Sequence, residues 1–98
     1  MKILIIGANG QIGTELATEL VHRHGTAAVV TSDLAPQGRV PGVAHEALDC
    51  TDIGGLTSIV ERHAVTQIYH LAAAGIGYEQ LCVQLLGAAR LDSAKAGN

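Results

Sequence analysis

The stretch Lys2-Ile3-Leu4-Ile5-Ile6-Gly7-Ala8-Asn9-Gly10-Gln11-Ile12-Gly13 decides the fold. Ile3 to Ile6 is an unbroken apolar run, β-branched at three of its four positions, as expected of a parallel strand covered on both faces. Gly7, Gly10 and Gly13 follow at intervals of three. Gly7 permits the tight turn out of the strand, and Gly10 leaves no Cβ between the backbone and a phosphate. Gly13 lets the next helix pack hard against the sheet. The first-turn amides and positive dipole end of that helix then form an anion site from backbone alone. The chain has twelve glycines, so the triplet draws its weight from its setting, with a strand before it and a helix after it.

Working outward, Asp33 closes a second apolar strand, Ala27-Ala28-Val29-Val30-Thr31-Ser32, and stands twenty residues beyond Gly13. A carboxylate there can accept hydrogen bonds from adenosine ribose hydroxyls. Strand, glycine turn, helix and distant acid together make a dinucleotide-binding fingerprint. The segment Leu34 to Pro41, with two prolines and a glycine, reads as a loop over the adenosine end. Arg39 within it could hold a 2′-phosphate, but Asp33 repels that group, so NAD is expected over NADP.

Gln11 to His24 reads as a helix with Ile12, Leu16, Leu20 and Val21 on its apolar side, ended by Gly25. His22 and His24 suit the dipole of its last turn, and a spacing of two puts them on different sides, against a metal pair. Val43 to Leu48 is a short third strand. After Asp49-Cys50-Thr51-Asp52, a helix runs from about Ile53 to His63, capped by Thr51 or Asp52 and softened by Gly54 and Gly55. Asp49 reads two ways, as an acceptor for the adenine amino group or as a turn or capping carboxylate. Val65 to Ala73 is a fourth strand. The small residues Ala72, Ala73 and Ala74 at its end suit either a ligand or close helix packing. His70 reads as a satisfied strand residue, since no acid or nucleophile partner for catalysis is evident. Tyr78 to about Ala94 reads as a helix with a stripe including Leu81, Leu85 and Ala89, and Ser93 to Asn98 as a loose tail.

Alternating strands and helices predict an α/β fold: a Rossmann-like parallel sheet in the order 3-2-1-4, with right-handed crossovers and helices on both faces. This is one half of a doubly wound fold, a single domain over residues 1–98. Nothing in the chain is left to pair with the outer edge of the fourth strand. That edge, or the 78–89 stripe, is a place for a second copy to dock.

The chain is 48% apolar and 15% charged, with a formal charge of −3, which fits a globular domain. There is no basic run and only two aromatics, so nucleic-acid binding has nothing to rest on. The apolar start ends at Gly7, too short for a signal peptide or membrane span. Cys50 and Cys82 lack metal-ligand spacing and read as reduced thiols, which places the chain in the cytoplasm with no metal site.

The sequence resembles the extended short-chain dehydrogenase/reductases, the NAD-dependent epimerase/dehydratase group, and within it the bacterial L-threonine 3-dehydrogenase branch. The opening Lys2 to Leu16 carries the likeness, with Thr31-Ser32-Asp33, Leu48-Asp49-Cys50-Thr51-Asp52 and Ile68-Tyr69-His70-Leu71-Ala72-Ala73. The resemblance implies that Gly7, Asn9, Gly10 and Gly13 surround the pyrophosphate, with main-chain donors at Gln11 and Ile12. Asp33 would take the ribose, Asp49 and Cys50 the adenine edge, and Leu71, Ala72 and Ala73 would line the cofactor. The likeness covers residues 1–73, while 74–98 diverge. The family's chemistry uses a Tyr-x-x-x-Lys pair, whose lysine lowers the tyrosine pKa for proton transfer. Here Tyr78 is followed four residues on by Cys82, and Tyr69 by Ala73. The expectation is therefore the NAD-binding part of an oxidoreductase, inactive alone. The alternative is a non-catalytic dinucleotide-binding or oligomerisation module.

Overall fold

Apolar side chains on both sides of one strand force that strand to the centre, and β1 (Ile3–Ile6) lies there. The computed structural model describes residues 1–71. After β1 come α1 (Gln11–His24), a short 3-10 turn (Thr26–Ala28), β2 (Val29–Asp33), β3 (Ala44–Ala47), α2 (Ile53–His63) and β4 (Gln67–His70). The four strands are parallel, in the order β3-β2-β1-β4. This is the predicted Rossmann-like arrangement.

The pleat of β1 divides the core in two. Ile3 and Ile5 meet Ala17 and Leu20 of α1, with Ala8 and Val29. Leu4 and Ile6 meet Leu56, Ile59 and Val60 of α2, with Val30, Leu48, Val65 and Ile68. Helices therefore cover both faces, and all four β1 side chains are buried. Each is worth about 1.5–3 kcal/mol relative to an exposed position.

Both helices have the bounds their patterns give. α1 stops where Gly25, at φ 90°, donates its amide to the Val21 carbonyl at 2.7 Å. α2 is capped by Asp52, whose Oδ1 accepts from the Gly55 amide at 3.0 Å. A Cβ on Gly55 would lie 2.6 Å from Asp52 Oδ2, so that glycine makes room for the cap. Thr51 is not the cap and is bonded to Asp49 instead. Ala64 ends α2 in the left-handed region at φ 52°.

The strands are shorter than their apolar runs. Ala27 and Ala28 belong to the 3-10 turn, because two small unbranched residues do not hold an extended conformation. Val43 and Leu48 flank β3, and Val65 and Thr66 precede β4. Ile12 is 74% exposed and does not join the α1 stripe. It sits in the first turn, beyond the end of β1, and the buried face starts at Gly13. The expected helix from Tyr78, together with Ala72, Ala73 and Cys82, lies outside the described residues. No described helix is long and apolar enough to cross a membrane.

Candidate functional site

The carboxyl ends of β1 and β2 meet at a turn tied together by one buried carbonyl. Gly7 leaves β1 at φ 82°, a conformation that side chains other than glycine's resist. The Gly7 and Ala8 amides both donate to the Ser32 carbonyl at 3.0 Å. Ser32 is fully buried and its hydroxyl donates to the Ile5 carbonyl at 3.1 Å. The Asn9 amide then donates to Asp33 Oδ2 at 2.9 Å, and the Leu34 amide to Asp33 Oδ1 at 2.7 Å. The acid read at a distance of twenty residues thus stands directly on the glycine turn.

The three glycines act differently. A Cβ at Gly10 would meet nothing within 4 Å among the described residues, and its φ is −71°. Among the described residues the space beside it is open, and the N-cap Gly10 offers no side chain to the first-turn amides of α1. A Cβ at Gly13 would lie 2.6 Å from the Ala8 carbonyl oxygen, so its bare backbone lets α1 approach the turn. Thr14 reinforces that approach, its hydroxyl donating to the Ala8 carbonyl at 3.2 Å.

A cleft of about 380 Å³ opens here, lined by Ile6, Gly7, Gly10, Asp33, Leu34, Leu48, Asp49 and Cys50. Asp49 Oδ1 accepts from the Thr51 amide at 2.9 Å and the Thr51 hydroxyl at 2.7 Å. Those bonds, the amide first, hold its carboxyl below the usual carboxylate range. Asp49 is therefore a turn carboxylate that also borders the cleft. Cys50 is half-buried and packs against the α2-side core. Gln11 and Ile12 lie exposed at the start of α1. Leu71 is partly exposed, and its amide continues the β1–β4 ladder to the Ile6 carbonyl at 2.9 Å.

The structure adds residues that periodicity does not reveal. Leu34, 72% exposed, forms a cleft wall; an apolar residue directly after Asp33 was the available signal. Ser32 pins the turn, and Asn9 gains a second link, its Nδ2 donating to the Gln37 carbonyl at 3.0 Å.

The family model for the NAD-dependent epimerase/dehydratase family matches residues 3–83. The chain belongs to that family. An uncharacterized epimerase/dehydratase of Staphylococcus epidermidis is 39% identical over 75 residues, which is 74% of this chain and 24% of that protein. Among solved structures, the GalE-like L-threonine dehydrogenase of Cupriavidus necator in its holo form is 51% identical. It superposes with a TM-score of 0.73 over 86% of this chain and 28% of that one. The L-threonine dehydrogenase of Clostridium difficile is 27% identical, with a TM-score of 0.74 over 86% of this chain and 32% of that one. The chain thus spans about a quarter to a third of these proteins' length.

Proposed function

We propose that this chain is the NAD-binding part of an oxidoreductase resembling L-threonine 3-dehydrogenase. The observation that carries the reading is the bond from the Asn9 amide to Asp33 Oδ2, which puts a ribose-binding carboxylate beside a phosphate-binding turn. The open space at Gly10 and the uncapped first turn of α1 fit a diphosphate. The Gln11, Ile12 and Gly13 amides would hold it. Each Asp33 oxygen accepts one backbone amide and keeps a lone pair, one of which would take the ribose 2′-hydroxyl. Asp49 and Cys50 would border the adenine, and Leu71, Ala72 and Ala73 the nicotinamide side. When bound, the dinucleotide supplies hydride-transfer chemistry. The chain alone binds without turnover, since neither Tyr69 nor Tyr78 has a lysine four residues on. A cytoplasmic setting, where NAD is plentiful, belongs to the same reading.

Isothermal titration of NAD into the purified 98-residue chain tests the proposal. Saturable one-to-one binding is expected, and a folded sample that gives no heat refutes it. Mixing the chain with NAD and threonine should give no NADH absorbance; its appearance would remove the claim of inactivity.

A second reading, an oligomerisation module, is favoured by the place of β4 at one edge of the described sheet. The edge of a sheet is where another chain can add. A clean monomer at high concentration by analytical ultracentrifugation removes this reading and leaves the first intact.

A further inference from the structure

The edge strand β3 carries a histidine whose ring is engaged at both nitrogens. His45 pairs in register with Thr31. Its Nδ1 lies 2.8 Å from Thr31 Oγ1, and its Nε2 lies 2.9 Å from the Ala35 carbonyl oxygen. A carbonyl oxygen only accepts, so Nε2 carries the proton and, in the neutral ring, Nδ1 accepts from the Thr31 hydroxyl. Gly38 passes over the same ring: a Cβ there would lie 2.8 Å from Nδ1 and 3.0 Å from Cγ. At Gly38 the loop therefore lies against the imidazole with no room for a side chain.

The loop is also attached through Val40, which packs against the α1-side core, and through Asn9, whose Nδ2 donates to the Gln37 carbonyl. Asn9 and Leu34 donate their amides to the two oxygens of Asp33. His45, the loop, Asp33 and the glycine turn thus form one chain of links. Surface loops are ordinarily left mobile, whereas this one is bonded at Ala35 and Gln37 and passes close to His45 at Gly38. The fastening has a cost. Asn9 Oδ1 is buried and has no hydrogen-bond partner among the described residues. Aiming Nδ2 at Gln37 leaves that oxygen desolvated, an arrangement proteins rarely keep without a reason.

We propose that His45 is a positioning residue of the ribose subsite. It holds the 34–41 loop as a strap, which fixes the Asp33 carboxylate and the Leu34 wall where the adenosine 2′-hydroxyl binds. The role rests on the dinucleotide reading above. His45 acts through Ala35 and Gly38, and its removal should be felt by one hydroxyl of the ligand and not by the diphosphate.

ADP and 2′-deoxy-ADP, titrated calorimetrically into the full chain, separate these effects. The wild-type chain should prefer ADP by about tenfold, the worth of one hydrogen bond to a charged group. In His45→Ala that preference should vanish: ADP falls to the affinity of 2′-deoxy-ADP, and 2′-deoxy-ADP is unchanged. His45→Gln keeps an N–H donor for the Ala35 carbonyl and should restore most of the preference. Gly38→Ala leaves the histidine in place but pushes the loop off the ring, and should lose the preference as His45→Ala does. Thermal melts by circular dichroism establish that each variant is folded.

Equal weakening of both nucleotides in His45→Ala, or no change in either, overturns the role assigned to His45. So does a preference that His45→Gln fails to restore. If the wild-type chain binds neither nucleotide, the dinucleotide reading itself falls. Binding by the wild type with unaltered discrimination in the variants removes only the inference about His45.

Discussion

Replacing Gly13 by alanine should unsettle the fold far more than replacing Gly10. Built on the Gly13 backbone, a Cβ falls 2.6 Å from the Ala8 carbonyl oxygen and 2.7 Å from its carbonyl carbon and Cα, where ordinary contact begins at 3.4 Å. The obstacle is backbone, held by the Ala8 amide's bond to Ser32, and it cannot rotate away as a side chain would. α1 must lift off β1 by several tenths of an ångström, opening the layer of Ile3, Ile5, Ala17 and Leu20. Overpacking of this kind costs about 1–3 kcal/mol, and the upper end applies against rigid backbone. Alanine in place of glycine within a helix returns up to about 1 kcal/mol. The net loss of about 2 kcal/mol corresponds to a fall in Tm of about 8–16 °C for a domain of this size. At Gly10 the same methyl meets nothing within 4 Å among the described residues. The change there is limited to a poorer helix N-cap, about 1 kcal/mol or less, while NAD affinity should drop because the methyl fills the diphosphate space. Thermal and urea unfolding followed by circular dichroism measure the difference. A Gly13→Ala melt within about 2 °C of wild type, or a Gly10→Ala chain equally destabilised, would refute the reasoning.

Asp33→Asn should weaken NAD by about 10–100-fold in calorimetry, since bonds to a charged acceptor are worth about 1.5–3 kcal/mol; unchanged affinity would detach Asp33 from the ribose. Gly54→Ala should raise stability by up to about 1 kcal/mol in urea titrations, because its Cβ makes only an ordinary 3.7 Å contact with Asp52. Gly55→Ala should gain nothing, as its Cβ displaces the Asp52 cap; equal gains from the two would contradict the cap geometry. Glu46 is held below the ordinary carboxylate range by its hydrogen bonds to Arg62 first and then His63. A carboxyl with a depressed folded pKa adds stability that is complete above its unfolded value, near 4.5, and is lost as pH falls through the folded value. With Arg62 55% exposed, the contribution is below about 1 kcal/mol. The Tm gap between wild type and Glu46→Gln should therefore close on acidification below about pH 4, and a gap that persists in acid points to packing instead. Ala64→Gly should raise Tm, because Ala64 ends α2 at φ 52°, a conformation that costs residues other than glycine about 1–2 kcal/mol; a lower Tm would speak against that strain.

The elements legible in the sequence are those whose side chains repeat with a period. β1 shows as four consecutive apolar residues, α1 as a helical stripe ended by Gly25, and α2 as a helix begun at Thr51 or Asp52. The sheet order follows from the alternation of elements, and the pairing of Asp33 with the glycine turn from the fingerprint spacing. What stayed hidden depends on contacts between distant residues. Nothing local distinguishes Thr51 from Asp52 as the cap, since either side chain offers an oxygen and the choice is made by Thr51 bonding Asp49. Ala27 and Ala28 looked like strand because they are apolar, but small unbranched residues yield to the turn that follows α1. Ile12 looked like core because it is isoleucine, yet the helix begins beyond the sheet at that point. Asn9 and Ser32 act through hydrogen bonds spanning more than twenty residues, and no periodicity encodes those.

Because β1 is greasy on both sides, sliding it by one residue would merely exchange Ile3 and Ile5 for Leu4 and Ile6. In a strand with one wet face such a slip strands polar groups in the interior and is punished at once; here the hydrophobic pattern offers no such veto. Alignment must come from the two ends, where the Thr66 amide and hydroxyl clasp the Lys2 carbonyl and the Ser32 carbonyl gathers two amides of the turn. These polar clasps act as the stops of a sliding bolt. Loosening either should first produce misaligned folding intermediates, before any loss of greasy contact.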